Sequence, residues 1–313
     1  MSVTDAAARG FAGRRALVTG ASSGVGREIA RGLAARGAEL VLPVRDLERG
    51  RRAVDAIRES VPDARVELRE LDLARLGSVR ALTTALLAED RPLDLLVLNA
   101  GVALVGDPVR RVTPDGFELH FQTNFLSHAA LCLGLLPLLE RGRARVVVQG
   151  SLASAFFDVR WDDLRFEHRY GPLRAYGSSK TALGLFGVEL ARRAPALAVG
   201  LSHPGVVPGS AIAAEIRERV WGWLRDAVVH RVGNSPARAA ETALVALETA
   251  RPGMPGDIPV GIAPGRWAQM AGPPRPRRPF RRLLDADAAG RVWRLAAELL
   301  ERESEWSLGE SNP

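Results

Sequence analysis

Short runs of apolar residues alternate with longer segments in which apolar positions recur at helical spacing along most of the chain. Such an alternation is typical of a parallel sheet covered by helices. The predicted strands are Arg15–Val18, Glu39–Val44, Arg65–Arg69, Leu93–Leu98, Arg145–Val148 and Ala198–Ser202, with a seventh near Ile258–Val260. Several of these strands are continuous apolar runs, which indicates that they are buried on both faces.

The segments between the strands are long enough to form helices. The predicted helices are Val25–Arg36, Leu47–Ser60, Ser78–Ala88, Pro114–Leu139, Leu173–Arg193 and Pro236–Thr249. We therefore predict an α/β fold, a Rossmann-like doubly wound parallel sheet of about seven strands with helices on both faces.

Three regions depart from this alternation: residues 152–172, residues 206–232 and the segment Pro252–Arg282, which is rich in proline, glycine and arginine. An amphipathic helix, Leu283–Glu301, follows as a C-terminal helical extension. We expect residues 1–262 to form one domain and residues 263–313 to be a Pro/Arg-rich linker and a helix that packs on it. Whether that helix caps the sheet, covers the loops or joins subunits stays open.

Composition narrows the class of protein. The chain has 313 residues, 47% hydrophobic and 25% charged, which is typical of a soluble globular protein. Cys132 is its single cysteine, which excludes an internal disulfide and fits a reducing, cytoplasmic location. No apolar stretch is long enough to span a bilayer, and the first residues lack the apolar core of a secretion signal.

The net charge of +7 and the isoelectric point of about 10.8 would suit a nucleic-acid partner. However, the arginines are scattered between acidic residues along most of the chain, which is typical of a solvated surface. We therefore predict no nucleic-acid partner. The five histidines do not cluster with carboxylates or cysteine, so we also predict no metal site.

A glycine-rich turn follows the first predicted strand and begins a helix. Its residues are Gly20, Ser22, Ser23, Gly24, Val25 and Gly26. In this context the glycines allow a tight turn, close approach of the backbone to a pyrophosphate, and close packing of helix on sheet. The phosphates would lie on the N–H groups at the positive end of the helix, with Ser22 and Ser23 as additional donors.

The end of the second strand decides between the two nicotinamide dinucleotides. A carboxylate there would bind the ribose 2′-hydroxyl of NAD(H), whereas arginine suits the 2′-phosphate of NADP(H). Arg45 occupies this place and Asp46 follows it. We predict that NADP(H) is preferred and NAD(H) remains the alternative, with Asp46 as the competing residue. Asp72 and Leu73, after the third strand, are expected at the adenine, although Asp72 could instead be a turn or capping residue.

Lys180 is the only lysine in a chain with 43 lysines and arginines. A lysine retained among so many arginines indicates a task that guanidinium cannot perform, because ammonium is a compact charge with three donors. It lies four residues after Tyr176, one of the two tyrosines. Residues four apart share one face of a helix, which would place the ammonium beside the phenol. We predict that this pair performs the chemistry.

Five motifs now resemble, in order, those of the short-chain dehydrogenase/reductase family over about residues 13–262. They are Gly20–Gly26, Asp72, Asn99-Ala100-Gly101, Ser151, and Tyr176 with Lys180. A helical Asn124 matches the family's fourth catalytic position. The segment Gly116–Leu139, the arginine after strand two, His203-Pro204-Gly205 and the long gap between Ser151 and Tyr176 resemble the retinol dehydrogenase-like and protochlorophyllide reductase-like branch.

The resemblance implies a role for each catalytic position. Tyr176 would be the general acid in carbonyl reduction and the base in alcohol oxidation, with its pKa lowered by the ammonium of Lys180. Lys180 would also hold the nicotinamide ribose, and Ser151 would donate to the substrate oxygen. Asn124 would hold a water linked to the lysine. The competing interpretations are an ordinary strand-end serine for Ser151 and a helix-interior hydrogen bond for Asn124.

The resemblance also places the remaining cofactor contacts. Asn99, Ala100 and Gly101 would border the cofactor at the carboxyl end of the fourth strand, and the run Pro204, Gly205, Val206 and Val207 would line the nicotinamide. The family's usual hydroxyl residue for the carboxamide falls at Gly209, between Pro208 and Ser210, so Ser210 or backbone groups would have to substitute. We expect a packing or capping role for His203.

Taken together, these features predict an NADP(H)-dependent oxidoreductase acting on the carbonyl or secondary alcohol of a bulky, hydrophobic small molecule. The apolar wall of the substrate site would come from Phe156, Phe157, Trp161, Trp221 and Trp223, unless these pack on the core or on a partner subunit. Two alternatives remain: a non-redox dehydratase or isomerase on the same fold, and a non-enzymatic dinucleotide sensor. A homo-oligomer is also left open.

Overall fold

The computed structural model of the chain describes residues 10–207, 233–252, 261–266 and 271–309. Its strands are β1 (Arg15–Val18), β2 (Glu39–Val44), β3 (Val66–Glu70), β4 (Leu95–Leu98), β5 (Arg145–Gln149), β6 (Ala198–Ser202), β7 (Gly261–Arg266) and β8 (Ala271–Arg277). They form one sheet in the order β3-β2-β1-β4-β5-β6-β7-β8. All neighbouring pairs are parallel except β7 and β8. The strand order reverses between β1 and β4, which opens a crevice at the carboxyl ends of these strands.

Helices cover both faces of this sheet. They are α1 (Gly24–Ala35), α2 (Leu47–Ser60), α3 (Leu76–Ala88), α4 (Ser127–Gly134), α5 (Leu136–Arg141), α6 (Pro172–Arg193), α7 (Pro236–Thr249) and α8 (Ala286–Gly309). Successive residues of β5 point to opposite faces of the sheet. Val147 packs with α1, α2 and α7 on one face, whereas Val146 and Val148 pack with α3 to α6 and α8 on the other. The predicted doubly wound α/β fold is confirmed, with eight strands instead of about seven.

The single helix predicted over Pro114–Leu139 is wrong. The chain forms a turn with a bridge between Val112 and Glu118, then a π-helical turn over Phe121–Leu126, and only then α4 and α5. Pro137 lies in the first turn of α5, where its missing N–H is tolerated, so it separates two helices instead of continuing one. The break places Asn124 in the π-helical turn.

The Pro252–Arg282 segment was expected to lie outside the regular alternation, and its described part does so, because its two described strands pair in antiparallel register. β7 begins at Gly261, and the expected strand near Ile258–Val260 lies outside the described residues. β8 contains three prolines and pairs with β7 in antiparallel register. Proline is tolerated in an edge strand because one side of that strand needs no ladder donors. Prolines and arginines also protect the exposed edge from further pairing.

The C-terminal helix α8 packs on α6 and α4 on one face of the sheet. Its Trp293 stacks on Phe186 of α6, with ring centroids 5.4 Å apart and planes at 10°. Leu283, Ala289 and Val292 belong to the same core. The helix therefore packs on the helical layer of its own chain, a position that was not among the three considered for it. Among the described residues, no helix is long and apolar enough to cross a bilayer.

Candidate active site

The glycine-rich turn joins β1 to α1 and leaves the start of that helix accessible. Gly20 and Gly24 have φ of +71° and +55°, in the left-handed region that favours glycine. A side chain at Gly26 would overlap the carbonyl oxygen of Gly20. Ser23 is the N-cap residue of α1, but its hydroxyl makes no capping hydrogen bond. The N–H groups at this positive helix end are therefore available to an anion.

This turn forms one wall of a cleft of about 550 Å³. Twelve predicted cofactor residues line it: Gly20, Ser22, Ser23, Gly24, Val25, Gly26, Arg45, Asp72, Leu73, Asn99, Ala100 and Gly101. The topology explains why residues so distant in sequence meet, because the carboxyl ends of parallel strands lie at one edge of a sheet. The volume is in the range of small-molecule and cofactor sites.

Two arginines and a carboxylate lie where β2 ends at the cleft. Asp46 is the N-cap residue of α2 and accepts a hydrogen bond of 3.0 Å from the N–H of Arg49. That bond is the main cause of the lowered pKa of Asp46, so its carboxyl stays ionised. Because this carboxylate is used in helix capping, the geometry favours Arg45 as the residue that meets a ribose substituent. Arg49, which the sequence analysis did not single out, lines the cleft beside it.

Asp72 lies in a turn and also lines the cleft. Its Oδ1 accepts from the N–H of Ala74 at 3.0 Å, as in a turn, and the residue also lines the cleft. Opposite it, Thr123 lines the same cleft from the π-helical turn, and its buried hydroxyl oxygen has no hydrogen-bond partner within the described structure. Thr123 is therefore a further polar group that a ligand could satisfy.

Thr19 is the central hydrogen-bonding residue on the floor of the cleft. Its hydroxyl accepts from the backbone N–H groups of Asn99 and Ala100 at 2.9 and 3.0 Å, and its carbonyl accepts from the Asn99 side chain at 2.9 Å. The hydroxyl also lies 3.0 Å from Nε2 of His128, whose Nδ1 donates to the carbonyl of Asn124 at 3.1 Å. These bonds fix the turn after β4 against β1.

His128 is fully buried, and burial lowers its pKa to about 4. It is therefore a neutral imidazole at physiological pH, with the proton on Nδ1. The ring links Thr19 on the cofactor side to the π-helical turn that carries Asn124. Neither Thr19 nor His128 was predicted as a site residue; the available signal was a histidine within an otherwise apolar helix.

Asn124 and Lys180 meet at Gly101, where the cleft reaches the predicted catalytic residues. A side chain at Gly101 would lie 3.0 Å from Oδ1 of Asn124 and 3.3 Å from Nζ of Lys180. Asn124 binds Val102 twice, accepting from its N–H at 2.8 Å and donating to its carbonyl at 3.0 Å. Its side chain therefore binds the backbone of a neighbouring loop, not that of its own helix.

Tyr176 lies on α6 in an apolar cluster with Ala103 and Val105, against which Ala153 packs. Ser151 hydrogen-bonds to the phenol, and burial raises the pKa of Tyr176 to about 12, against the lowering effect of that bond. The prediction that the ammonium of Lys180 lowers this pKa is not confirmed for the protein alone. Burial of the ring is the larger effect, so the phenol stays protonated at neutral pH.

Lys180 is buried one turn further along α6, and its Nζ donates to the carbonyl of Gln149 at 3.2 Å. Burial lowers its pKa to about 8. The side chain is therefore mostly an ammonium ion at neutral pH and loses its charge in mildly alkaline solution. A buried, protonated phenol and a buried ammonium one turn apart on the same helix are an arrangement suited to proton transfer.

Comparison with known proteins identifies the family. The family model for short chain dehydrogenase matches residues 14–221.

The chain belongs to the short-chain dehydrogenase family.

The relatives of this short-chain dehydrogenase agree with the predicted branch. It is 41% identical over 198 residues to retinol dehydrogenase 12 of Mus musculus, with 62% of each chain covered. It is 43% identical over 204 residues to polyprenol dehydrogenase of Mus musculus, covering 62% of this chain and 60% of the relative. The chain thus spans less than two thirds of these curated relatives. The predicted likeness to the retinol dehydrogenase-like branch is confirmed.

Solved structures extend the likeness to most of the fold. A protein from Mycobacterium paratuberculosis is 32% identical, with a TM-score of 0.71, covering 93% of this chain and 94% of its own. An NAD(P)-dependent gluconate 5-dehydrogenase from Beutenbergia cavernae, solved with bound NADP, is 26% identical with a TM-score of 0.59. In that match 76% of this chain and 90% of the other are covered.

The turn predicted to line the nicotinamide follows β6 in this short-chain dehydrogenase. Gly205 has φ of +79°, and Asn234 fixes the turn by donating from its side chain to the carbonyl of Pro204 at 3.0 Å. Val207 is buried. His203 lies against Phe280, with ring centroids 6.2 Å apart, in agreement with its expected packing role. The positions Pro208, Gly209 and Ser210 lie outside the described residues.

The aromatic residues of the 152–172 segment do not form one wall. The ring of Phe157 packs directly against Gly177, where any side chain would overlap it. Trp161 packs on the core and beneath Arg291 of α8, whose guanidinium lies 4.1 Å from the ring centroid. Phe156 is 67% exposed and is the aromatic side chain of this segment that is open to a substrate. Trp221 and Trp223 lie outside the described residues.

Proposed function

We propose that this short-chain dehydrogenase is an NADP(H)-dependent oxidoreductase that transfers a hydride between nicotinamide and the carbonyl or alcohol of a bulky, apolar small molecule. The observation that carries the proposal is the position of Gly101. It lines the dinucleotide-sized cleft and also lies against Asn124 and Lys180. The cleft and the acid/base residues therefore form one continuous site.

The residues of the cleft fit a dinucleotide. The glycine turn offers uncapped N–H groups at the start of α1, and Gly24 borders open space in which a diphosphate could approach the backbone. Thr123 supplies a buried, unpartnered hydroxyl. The two arginines at the end of β2 fit a 2′-phosphate, which we propose as the reason for an NADP(H) preference. The Beutenbergia cavernae neighbour, solved with NADP, supports this choice.

When bound, the nicotinamide supplies or accepts the hydride. We propose that Tyr176 donates its hydroxyl proton to the carbonyl oxygen during reduction and removes a proton from the alcohol during oxidation. The raised pKa of Tyr176 keeps the proton available in the reductive direction. Ser151 orients the same oxygen, and Lys180 holds the ribose and supports the developing phenolate charge. Asn124 holds the loop at Val102, which keeps Gly101 in place.

The proposed substrate class is a long, apolar alcohol or the corresponding carbonyl compound. Two relatives are named for retinol and polyprenol, both long apolar alcohols. In this chain Phe156 is exposed close to Ser151 in sequence, since the two residues cap opposite ends of the short 3-10 helix Leu152–Ala155. An exposed aromatic ring at such a place suits an apolar substrate.

We also propose that α8, which packs on the helical layer of the sheet, belongs to the same domain as the dinucleotide cleft.

The experiment that tests the proposed function follows nicotinamide absorbance with a panel of bulky, apolar ketones, aldehydes and alcohols, using both dinucleotides. Turnover of NADPH coupled to one of these substrates is the expected result. Substrate conversion without net consumption of NADPH would instead indicate a dehydratase or isomerase. Tight binding of NADPH without conversion of any compound in the panel would favour a dinucleotide sensor.

The pH dependence of kcat/KM should show the loss of the proton from the Lys180 ammonium. Its pKa is lowered to about 8, whereas that of Tyr176 is raised to about 12. Between these values Lys180 loses its proton while the phenol keeps its own. We therefore expect kcat/KM for NADPH in the reductive direction to fall about tenfold per pH unit above pH 8. Circular dichroism over the same range controls for unfolding. A profile that stays flat to pH 10 would contradict this assignment.

Arg45→Ala should weaken NADPH binding much more than NADH binding. The guanidinium is expected to meet the 2′-phosphate that only NADPH carries, and such a charge-assisted contact supplies about 1.5–3 kcal/mol, or roughly 10- to 100-fold in Kd. The measurement is a fluorescence titration of the protein with each reduced dinucleotide. Arg58→Ala, an exposed arginine further along α2 and away from the cleft, is the matched control. Equal losses for the two dinucleotides would refute a 2′-phosphate contact.

A further inference from the structure

A buried ionisable pair, Glu118 and His120, lies beside the proposed acid and has no role in the function described above. Glu118 has no exposed surface and His120 is 1% exposed. Burying a carboxylate costs several kcal/mol unless hydrogen bonds compensate it. A pair of this kind, placed next to a reacting group, therefore needs an explanation.

The pair connects two backbone segments through a directed chain of hydrogen bonds. Glu118 accepts from the N–H of Phe121 at 2.8 Å and from Nδ1 of His120 at 2.7 Å. Nε2 of His120 accepts from the N–H of Leu104 at 3.1 Å. Since a backbone N–H can only donate, Nε2 carries no proton and Nδ1 does, so the imidazole is neutral and its tautomer is fixed.

The His120 end of this chain reaches the surroundings of Tyr176 in two ways. The rings of His120 and Tyr176 meet edge to face, with centroids 6.2 Å apart and planes at 78°. Leu104, which His120 binds, stands between Ala103 and Val105, and these two residues form the apolar cluster around the phenol ring. The loop from Val102 to Val105 is thus attached at two points, by Asn124 at Val102 and by His120 at Leu104.

We propose that Glu118 and His120 are a positioning pair that holds the loop 102–105 against Tyr176, so that the phenol stays enclosed and aimed at the substrate oxygen. The proposal rests on the proposed function for its catalytic meaning. Burial is the first cause of the raised pKa of Tyr176, and that burial depends on Ala103 and Val105. Lys180 is the titratable residue one turn from Tyr176 on α6, and Glu118 also acts on Tyr170, whose pKa is raised first by burial and then by Glu118 and Asp107.

The test measures the ionisation of Tyr176 directly. Tyr170→Phe leaves Tyr176 as the only tyrosine, because the chain contains two. Tyrosinate difference absorbance in this background should show less than about a tenth of Tyr176 ionised at pH 10.5. Adding His120→Phe, which keeps a ring but removes both hydrogen bonds, should raise that fraction above about half. His120→Gln can still accept from Leu104 and donate to Glu118, so it should restore most of the original titration.

The controls separate positioning from general loss of stability. Leu197→Ala truncates a buried core residue that follows α6 and lies away from the loop, and it should leave the Tyr176 titration unchanged. If His120→Phe does not fold, His120→Leu, which also removes both hydrogen bonds, serves the same purpose. In either variant we also expect kcat to fall about tenfold with NADPH affinity within about twofold. Because the titration needs no turnover, it decides the proposal even if the proposed reaction is wrong. Unchanged ionisation of Tyr176 in folded His120→Phe or His120→Leu would overturn it.

Discussion

Tyr176→Phe is expected to lower kcat for carbonyl reduction by about 10³-fold while NADPH affinity stays within about twofold of the wild type. The substitution removes only the hydroxyl, which hydrogen-bonds to Ser151, and it keeps the ring that packs with Ala103 and Val105. The fold and the cleft should therefore be preserved while the proton donor is lost. Steady-state nicotinamide absorbance gives kcat, and fluorescence titration gives the affinity.

The chain offers a matched control for this substitution. Tyr170 is its other tyrosine and contacts Phe166 edge to face, outside the proposed site. Tyr170→Phe makes the same chemical change in the same stretch of sequence and should leave kcat unaltered. If Tyr176→Phe retained full activity, the general-acid role would be lost, and the apolar cluster around its ring would need another explanation.

The features that could be predicted from sequence are local or follow from simple topology. The spacing of Tyr176 and Lys180 is a property of one helix, and α6 has the predicted bounds within one residue. The glycine turn requires only a strand, a turn and a helix in succession. The convergence of Asp72 and Asn99 on the cleft follows from the rule that parallel strands end at one edge of the sheet. None of these inferences needs knowledge of side-chain packing.

The features that could not be predicted depend on contacts across the chain. Thr19 binds His128, 109 residues away, and although a histidine in an apolar helix is unusual, no local pattern indicates that the two residues meet. The π-helical turn at Asn124 interrupts a segment whose apolar periodicity suggested one continuous helix. Such turns occur often at functional sites, where an extra residue redirects a side chain. Here the turn contains both Asn124, which holds the loop 102–105 at Val102, and Thr123, which lines the cleft.

The pKa of Tyr176 shows how a sequence argument can choose the wrong dominant effect. The spacing alone suggested a nearby ammonium that would lower the pKa, whereas enclosure by Ala103, Val105 and Ala153 raises it to about 12. Enclosure depends on a loop that follows another strand, and its extent is visible only in three dimensions. The strand β8 is a similar case, because three prolines argue against a strand unless it is known to lie at an edge.

Lys180→Arg is expected to lower kcat/KM by about 100-fold although the charge is kept. The ammonium is buried, donates to the carbonyl of Gln149 at 3.2 Å, and lies so close to Gly101 that even one added carbon there would approach within 3.3 Å. A planar guanidinium is wider than an ammonium and has more N–H groups that need acceptors, so it would displace the turn at Gly101, which lines the cleft. The measurement is kcat/KM for NADPH together with the pH profile.

The pH profile makes this prediction specific. Arginine does not lose its proton in the accessible range, so the residual activity of Lys180→Arg should lack the decline above pH 8 expected of the wild type. Lys180→Met removes the charge and should be impaired at every pH. Arg192→Lys exchanges the same two residue types on α6, where the exposed Arg192 pairs with the buried Glu189, and it should be silent because Arg193 also pairs with that carboxylate. Wild-type rates in Lys180→Arg would show that the single lysine of this chain is there by chance, because charge alone would then suffice at that position.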